Sequence, residues 1–181
     1  MRLEKIRVDF EPEQDRLVMR ILVDGQTEVL LWLTRRCVKR LWLAMLQLAE
    51  GKPEIQRQAD PEARSAILQF AHEKALREVQ LSTREEQTAP QGPQPPRDRP
   101  LGEAPLLIMR IQARRVDAER SLLALLPAEG QGAHLTLGDS LLHGLMRLTQ
   151  AAVEKAEWDL RLELPKPALG ASETGASRVL N

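Results

Sequence analysis

Residues 27–50, TEVLLWLTRRCVKRLWLAMLQLAE, change period in mid-run. The first eight residues are almost continuously apolar, the pattern of a strand covered on both faces. Beyond Thr34 the apolar residues recur at three- and four-residue spacing, the pattern of a helix. Thr34 stands at the switch, where its hydroxyl can accept an N–H of the first helical turn. On that helix Cys37, Val38, Leu41, Ala44, Met45 and Leu48 form one broad apolar face. The opposite face begins with Arg35, Arg36, Lys39 and Arg40 and continues as Leu43, Leu46 and Gln47. Cations at a helix start meet a like partial charge, so negative groups outside the helix are expected to hold them. A helix apolar on both sides over its last two turns is expected to be covered twice. The second cover is either another part of this chain or another chain.

Working outward, residues 3–34 read as a three-stranded meander. KIRVDF alternates, with Ile6, Val8 and Phe10 on one face, and RLVMRILV sets Leu17, Met19, Ile21 and Val23 in phase. EPEQD is turn chemistry, and the Asp-Gly of DGQ supplies the positive φ of a hairpin connection. Downstream, ADPEARSAILQFAHEKALREVQL predicts a second helix. Asp60 caps it, Pro61 takes its first position, and Ile67, Ala71, Ala75 and Val79 mark its stripe, with Leu68 and Leu76 beside it.

The pattern then returns. APLLIMRIQARRV predicts one strand with Leu107, Met109, Ile111 and Ala113 in phase, and SLLALLP and AHLTL predict two more. GDSLLHGLMRLTQAAVEKAEWDL predicts a helix capped by Asp139. A shift of 104 residues sets Leu31 and Leu33 on Leu135 and Leu137, Val38 on Leu142, Leu41 on Leu145 and Trp42 on Met146. The preceding hairpin is expected to slip by one, Leu17 meeting Leu122 and Ile21 meeting Leu126. A βββα duplication is one explanation, and the frequency of short strands that stop at a helix is the other.

The expected fold is α+β, two antiparallel meander-plus-helix units packed as one domain, with an additional helix. Residues 1–81 make the first unit and 106–164 the second; 82–105, with six prolines, is expected as a disordered linker and 165–181 as a disordered tail. At 59 residues the second unit is near the size at which a lone core is marginal, so it is expected to pack on the first. Lys plus Arg and Asp plus Glu both count 26, so no global field draws the chain to nucleic acid or membrane. One cysteine, no apolar run long enough to span a bilayer and no signal-like N-terminus predict a soluble, cytoplasmic protein.

Motifs that carry chemistry are few. GDSL at 138–141 matches the nucleophile motif of the GDSL hydrolases, but no D-x-x-H follows it. Asp139 as a helix cap and Ser140 as a first-turn residue account for it. His72, His134, His143 and Cys37 show no zinc spacing, and no glycine-rich phosphate loop occurs. Cys37 points to an apolar helix face, as a small buried hydrophobe does. No catalytic residue, metal, cofactor or small-molecule ligand is indicated.

The basic residues remain. Arg7, Arg20, Arg110 and Arg114 fall out of phase with the apolar strand faces and are expected to share one sheet surface with Trp32. Arginine beside an indole suits a single-stranded nucleic acid. Paired sheet-then-helix units also resemble, in arrangement, the Pur-like and Whirly-like single-strand binders, and that resemblance implies the same ligand. Against this, Asp9, Glu11, Asp15, Asp24 and Glu28 lie on the same hairpins and can neutralise the arginines. The expected function is therefore a non-enzymatic protein-binding or assembly subunit of a cytoplasmic oligomer, its interface made by Arg35, Arg36, Lys39, Arg40, Leu43 and Leu46. The alternative is a single-stranded nucleic-acid-binding protein that uses Arg7, Arg20, Trp32, Arg110, Arg114 and the basic helix start.

Overall fold

The period change at Thr34 is a strand handing over to a helix. In the computed structural model, which describes residues 3–86 and 97–165 (backbone alone for 78–86), β1 (Leu3–Glu11), β2 (Arg16–Val23) and β3 (Thr27–Leu33) form the expected antiparallel meander. Asp24 and Gly25 turn between β2 and β3 with φ of +48° and +72°, a turn whose twist matches the strands it joins. The register pairs Ile6 with Ile21 and Leu17 with Leu33, which buries Ile6, Val8, Leu17, Met19, Ile21, Val29, Leu31 and Leu33 on one face. Helix α1 (Arg35–Glu50) starts with the Cys37 N–H donating to Thr34 Oγ1 at 3.2 Å. A short α2 (Pro53–Gln56) leads to α3 (Pro61–Glu86), where Asp60 Oδ1 accepts the Glu62 N–H at 3.0 Å.

The second unit repeats the plan. A short β4 (Leu106–Leu107) adds to β3 in parallel, and β5 (Arg110–Arg115), β6 (Arg120–Leu126) and β7 (Ala133–Gly138) make a separate three-stranded sheet that ends in α4 (Asp139–Lys155). The units then interlock: α1 packs on β5, α4 packs on β1, and the two helices touch. The ends of the helices repeat this exchange. Phe10, closing β1, meets Trp158 beyond α4 edge to face at 6.2 Å, and Trp158 Nε1 donates to Asp15 Oδ1 at 2.7 Å. Arg115, closing β5, donates to the Leu48 carbonyl of α1 at 2.7 Å. One core therefore contains the inner faces of both sheets and both helices.

The internal match is closer than the sequence pattern indicates, with its slip in a different place. Val38, Leu41, Trp42, Met45, Leu48 and Ala49 correspond at a shift of 104 to Leu142, Leu145, Met146, Thr149, Ala152 and Val153, all of them buried. The Leu17–Leu33 pair corresponds to Ser121–Leu137 at the same shift, so Leu17 and Ile21 align with Ser121 and Leu125, not with Leu122 and Leu126. The one-residue slip lies in the first strand, where Ile6, Val8 and Phe10 align with Ile111, Ala113 and Arg115. Its cause is turn length. Six residues separate the paired Phe10 and Leu17, and five separate the equivalent Arg115 and Ser121.

Three other expectations are corrected. The run APLLIMRIQARRV is not one strand: the Ile108 N–H donates to the Trp32 carbonyl at 3.0 Å and the Met109 N–H to the Leu126 carbonyl at 2.9 Å, so the chain changes sheets between adjacent residues. The buried line of α3 is Leu68, His72 and Ala75, on the Leu68 side of the expected stripe, with Ile67 and Ala71 half-buried and His72 against a second buried histidine on α4; the Val79 side chain lies outside the described residues. Asp139 is the first residue of α4 and not its cap; the cap position is Gly138, without a side-chain bond.

The stretch expected as a linker has structured flanks. Helix α3 runs to Glu86, residues 87–96 lie outside the described residues, and 97–105 lead along β3 into β4. Asp98 exchanges backbone bonds with Gln26 and Glu28, and the Arg97 and Arg99 guanidiniums each reach Glu28 at 2.7 Å. The expected tail beyond Pro165 is also outside the described residues. Burial pushes the Glu28 carboxyl up, but bonds from Arg99 and Arg97 outweigh it and hold the group below its ordinary value. Its contribution is thus full at neutral pH and is lost as pH falls below about 4.5, the value of the free group. Replacing Glu28 by Gln should cost about 1–3 kcal/mol in urea unfolding, the range for a charged hydrogen-bonded group. Amide exchange at Asp98 and Ile108 should quicken while β1 and β2 stay protected. Unchanged exchange at Asp98 would mean that backbone pairing alone holds this segment.

Candidate protein-docking site

Helix α1 turns its buried positions, Cys37, Val38, Leu41, Trp42, Met45 and Leu48, toward the shared core. The 100° step then leaves Arg35, Arg36, Lys39, Arg40 and Leu43 on the outer side, all exposed. Among the described residues none of these four cations makes a salt bridge. Three of the five hairpin carboxylates expected to neutralise them are engaged elsewhere. Glu28 binds Arg97 and Arg99, Asp15 accepts the Trp158 indole N–H, and Asp9 lies 3.9 Å from Arg20.

Beside the cations lies apolar surface. Leu43 is 59% exposed, whereas Leu46 is half-buried against the core and serves the fold as well. Between α1 and β5 is an open cleft of about 470 Å³, with Arg40, Leu43, Ala44 and Gln47 on one wall and Met109, Arg110, Ile111 and Gln112 on the other. Met109 is 49% exposed. Sequence periodicity placed it in phase with a strand interior, because the change of sheets at Ile108–Met109 leaves no trace in the apolar pattern.

The structure divides the remaining basic residues. Arg7 and Arg20 are paired across β1 and β2, on the outer face of the four-stranded sheet that also carries half-buried Trp32. Arg110 and Arg114 lie on the outer face of the other sheet, and Arg110 Nε donates to the Pro127 carbonyl at 3.3 Å at the mouth of the cleft. The arginines expected on one surface thus occupy two, and Arg110 lines the α1–β5 cleft opposite Arg40 instead.

Other groups with chemical potential are placed where they pack. Burial pushes the Cys37 thiol up to about 12, against the opposing charge of Arg40, so it is a protonated, inert thiol at neutral pH. Asp139 binds Lys52 and approaches Arg115 at 3.8 Å. His143 Nδ1 lies 3.1 Å from His72 Nδ1, and His143 Nε2 has no hydrogen-bond partner among the described residues. Neither imidazole lines the α1–β5 cleft or a second cleft, of about 360 Å³, beside α2 and α3. The described residues contain no group of three or more His, Cys, Asp or Glu side chains placed to hold a metal ion, and none of their helices is long and apolar enough to cross a membrane.

No family model, curated protein or solved structure matches the chain. The likeness to single-strand binders therefore rests on arrangement alone, and fold carries no function by itself.

The histidine pair gives stability a pH dependence. Burial, then the charges of His72 and Lys52, push His143 down to about 4, with Asp139 opposing; burial and Arg147 also lower His72, with Glu73 opposing. The unfolded chain thus binds more protons than the folded one between pH 6.5 and about 4, and stability falls as pH drops through that window. The loss should be on the order of 2–3 kcal/mol. In His143→Asn, urea midpoints measured from pH 7 to 4.5 should decline less steeply than in the parent chain. Parallel declines would remove His143 from the account.

Proposed function

We propose that the chain is a non-enzymatic binding protein that docks a second protein chain on the outer face of α1 and in the adjoining cleft to β5, as a subunit of a larger assembly. One observation carries the reading: Arg35, Arg36, Lys39 and Arg40 make no salt bridge among the described residues, and the last of them lines one cleft with exposed Leu43 and Met109. Such cations at a helix start oppose its dipole by on the order of 1–2 kcal/mol in total, which carboxylates of a partner relieve. Arginine around a small apolar centre is also the composition of interface cores, where Arg and Met are enriched and Lys depleted. A reducing compartment such as the cytoplasm suits the lone, buried thiol of Cys37.

Single-stranded nucleic acid is the second reading, favoured by Arg7, Arg20 and Trp32 sharing one sheet face. Asp9 beside Arg20, the half-buried state of Trp32 and a net charge of zero weigh against phosphate as the main ligand.

A photo-crosslinking residue in place of Leu43, in cells that make the protein natively, tests both. The expected product is a nuclease-resistant protein adduct that disappears when Arg36 and Arg40 are changed to Glu, while circular dichroism stays native. The same probe at exposed Glu13 should give none. No adduct at position 43, or one that nuclease removes, overturns the docking reading.

A further inference from the structure

We infer that the cleft between α1 and β5 takes a short extended segment of another protein, one that alternates acidic and apolar residues and adds itself to the free edge of β5. The inference rests on the docking reading above and names the chemistry of the partner.

The cleft lies along a strand edge. Successive side chains of a strand point to opposite faces, yet Met109, Arg110, Ile111 and Gln112 all line it. An opening that meets both faces of a strand runs along its edge. The strand concerned is the outermost of its sheet, in the order β5-β6-β7, so no described strand pairs with it on that side. Ladder phase shows what the edge offers. The Val116 N–H donates to the Arg120 carbonyl at 2.8 Å, next to the paired Arg115 and Ser121, so Arg110, Gln112 and Arg114 bond toward β6. Ile111 therefore turns its N–H and C=O to the free edge, within the stretch that lines the cleft. Further along, α1 closes the edge, because Arg115 reaches the Leu48 carbonyl.

The lining selects charge and pattern. Its ionisable groups are Arg40 and Arg110, both exposed, and it contains no carboxylate. Arg36 continues the same wall one helical turn before Arg40. Arg110 and Gln112 are exposed on the outer face of the sheet, whereas Ile111 is half-buried against the core. A strand laid beside β5 thus meets arginine with every second residue and apolar surface with the others. From Arg36 to Gln47 the helix rises about 16 Å, which an extended segment covers in about five residues.

Segments of this chain do not fit. Residues 87–96 hold four prolines and no charge, and proline cannot donate to a ladder. Residues 166–181 set Glu173 against Lys166 and Arg178, which leaves them net positive. Glu85 and Glu86 belong to α3 and are helical.

Peptides of about seven residues, long enough to pass both ends of the cleft, test this on the full chain. One alternates Glu with Val, one alternates Lys with Val, and one holds the Glu and Val in two blocks. By fluorescence anisotropy the alternating Glu peptide should bind saturably and the other two about tenfold more weakly or not at all. Arg40→Glu combined with Arg110→Glu should invert the preference toward the Lys peptide with native circular dichroism, both positions being exposed. Amide exchange at Ile111 should slow when the Glu peptide is bound, while Arg110 and Gln112, already bonded to β6, keep their rates. No saturable binding at about 1 mM, the weak end of measurable affinity, overturns the inference. Equal binding of the block peptide, or unchanged exchange at Ile111, does the same; the arginines then only guard a free edge against pairing. The crosslink at position 43 tells the two proposals apart. An adduct on a protein stretch without the alternating acidic pattern, a second copy of this chain included, sinks the acidic strand and leaves the docking reading standing, whereas no adduct sinks both.

Discussion

The helix that closes each meander needs the other unit's sheet. Helix α1 leaves the four-stranded sheet and packs on β5, and α4 leaves the three-stranded sheet and packs on β1. The inner faces of both sheets would otherwise meet water, and a 59-residue unit is too small to bury them alone. The exchange decides most other features. It sets Phe10 against Trp158, aims Arg115 at the end of α1, and buries Thr149 where α1 has Met45. It also fixes which side of α1 is left outside, because a helix held between its partner helix and a foreign strand has one free side.

Much of this was legible before any coordinates. Alternation in KIRVDF and RLVMRILV, the Asp-Gly turn and the Thr34 cap are local signals, and local chemistry placed those elements where they stand. The repeat at 104 was visible through Leu31, Leu33, Val38 and Leu41 because burial selects apolar residues at equivalent positions. What failed was non-local. A strand that leaves one sheet for another keeps its alternation, so nothing in APLLIMRIQARRV marks the change between Ile108 and Met109. An Arg at the inward position 115 hides the correspondence with Phe10, and this displaced the slip by one strand.

The site was legible in part, for the same reason. A basic outer face on α1 followed from helical phase, and Leu43 with it. The half-burial of Leu46, the exposure of Met109 and the sharing of one cleft by Arg40 and Arg110 are products of packing between units, which no single window of sequence contains. The sequence offers Glu28 to the arginines of its own hairpins, yet Arg97 and Arg99 reach it from about 70 positions away.

The bond between Trp158 and Asp15 joins residues 143 positions apart. On a ribosome adding roughly 5–20 residues per second, the N-terminal meander waits on the order of 10–30 s for the helix that covers it. Throughout that interval Ile6, Val8 and Phe10 belong to a nascent chain without its cover. Early order in the meander can therefore come only from its own hydrogen bonds and from α1, and the apolar face that α4 covers is completed last.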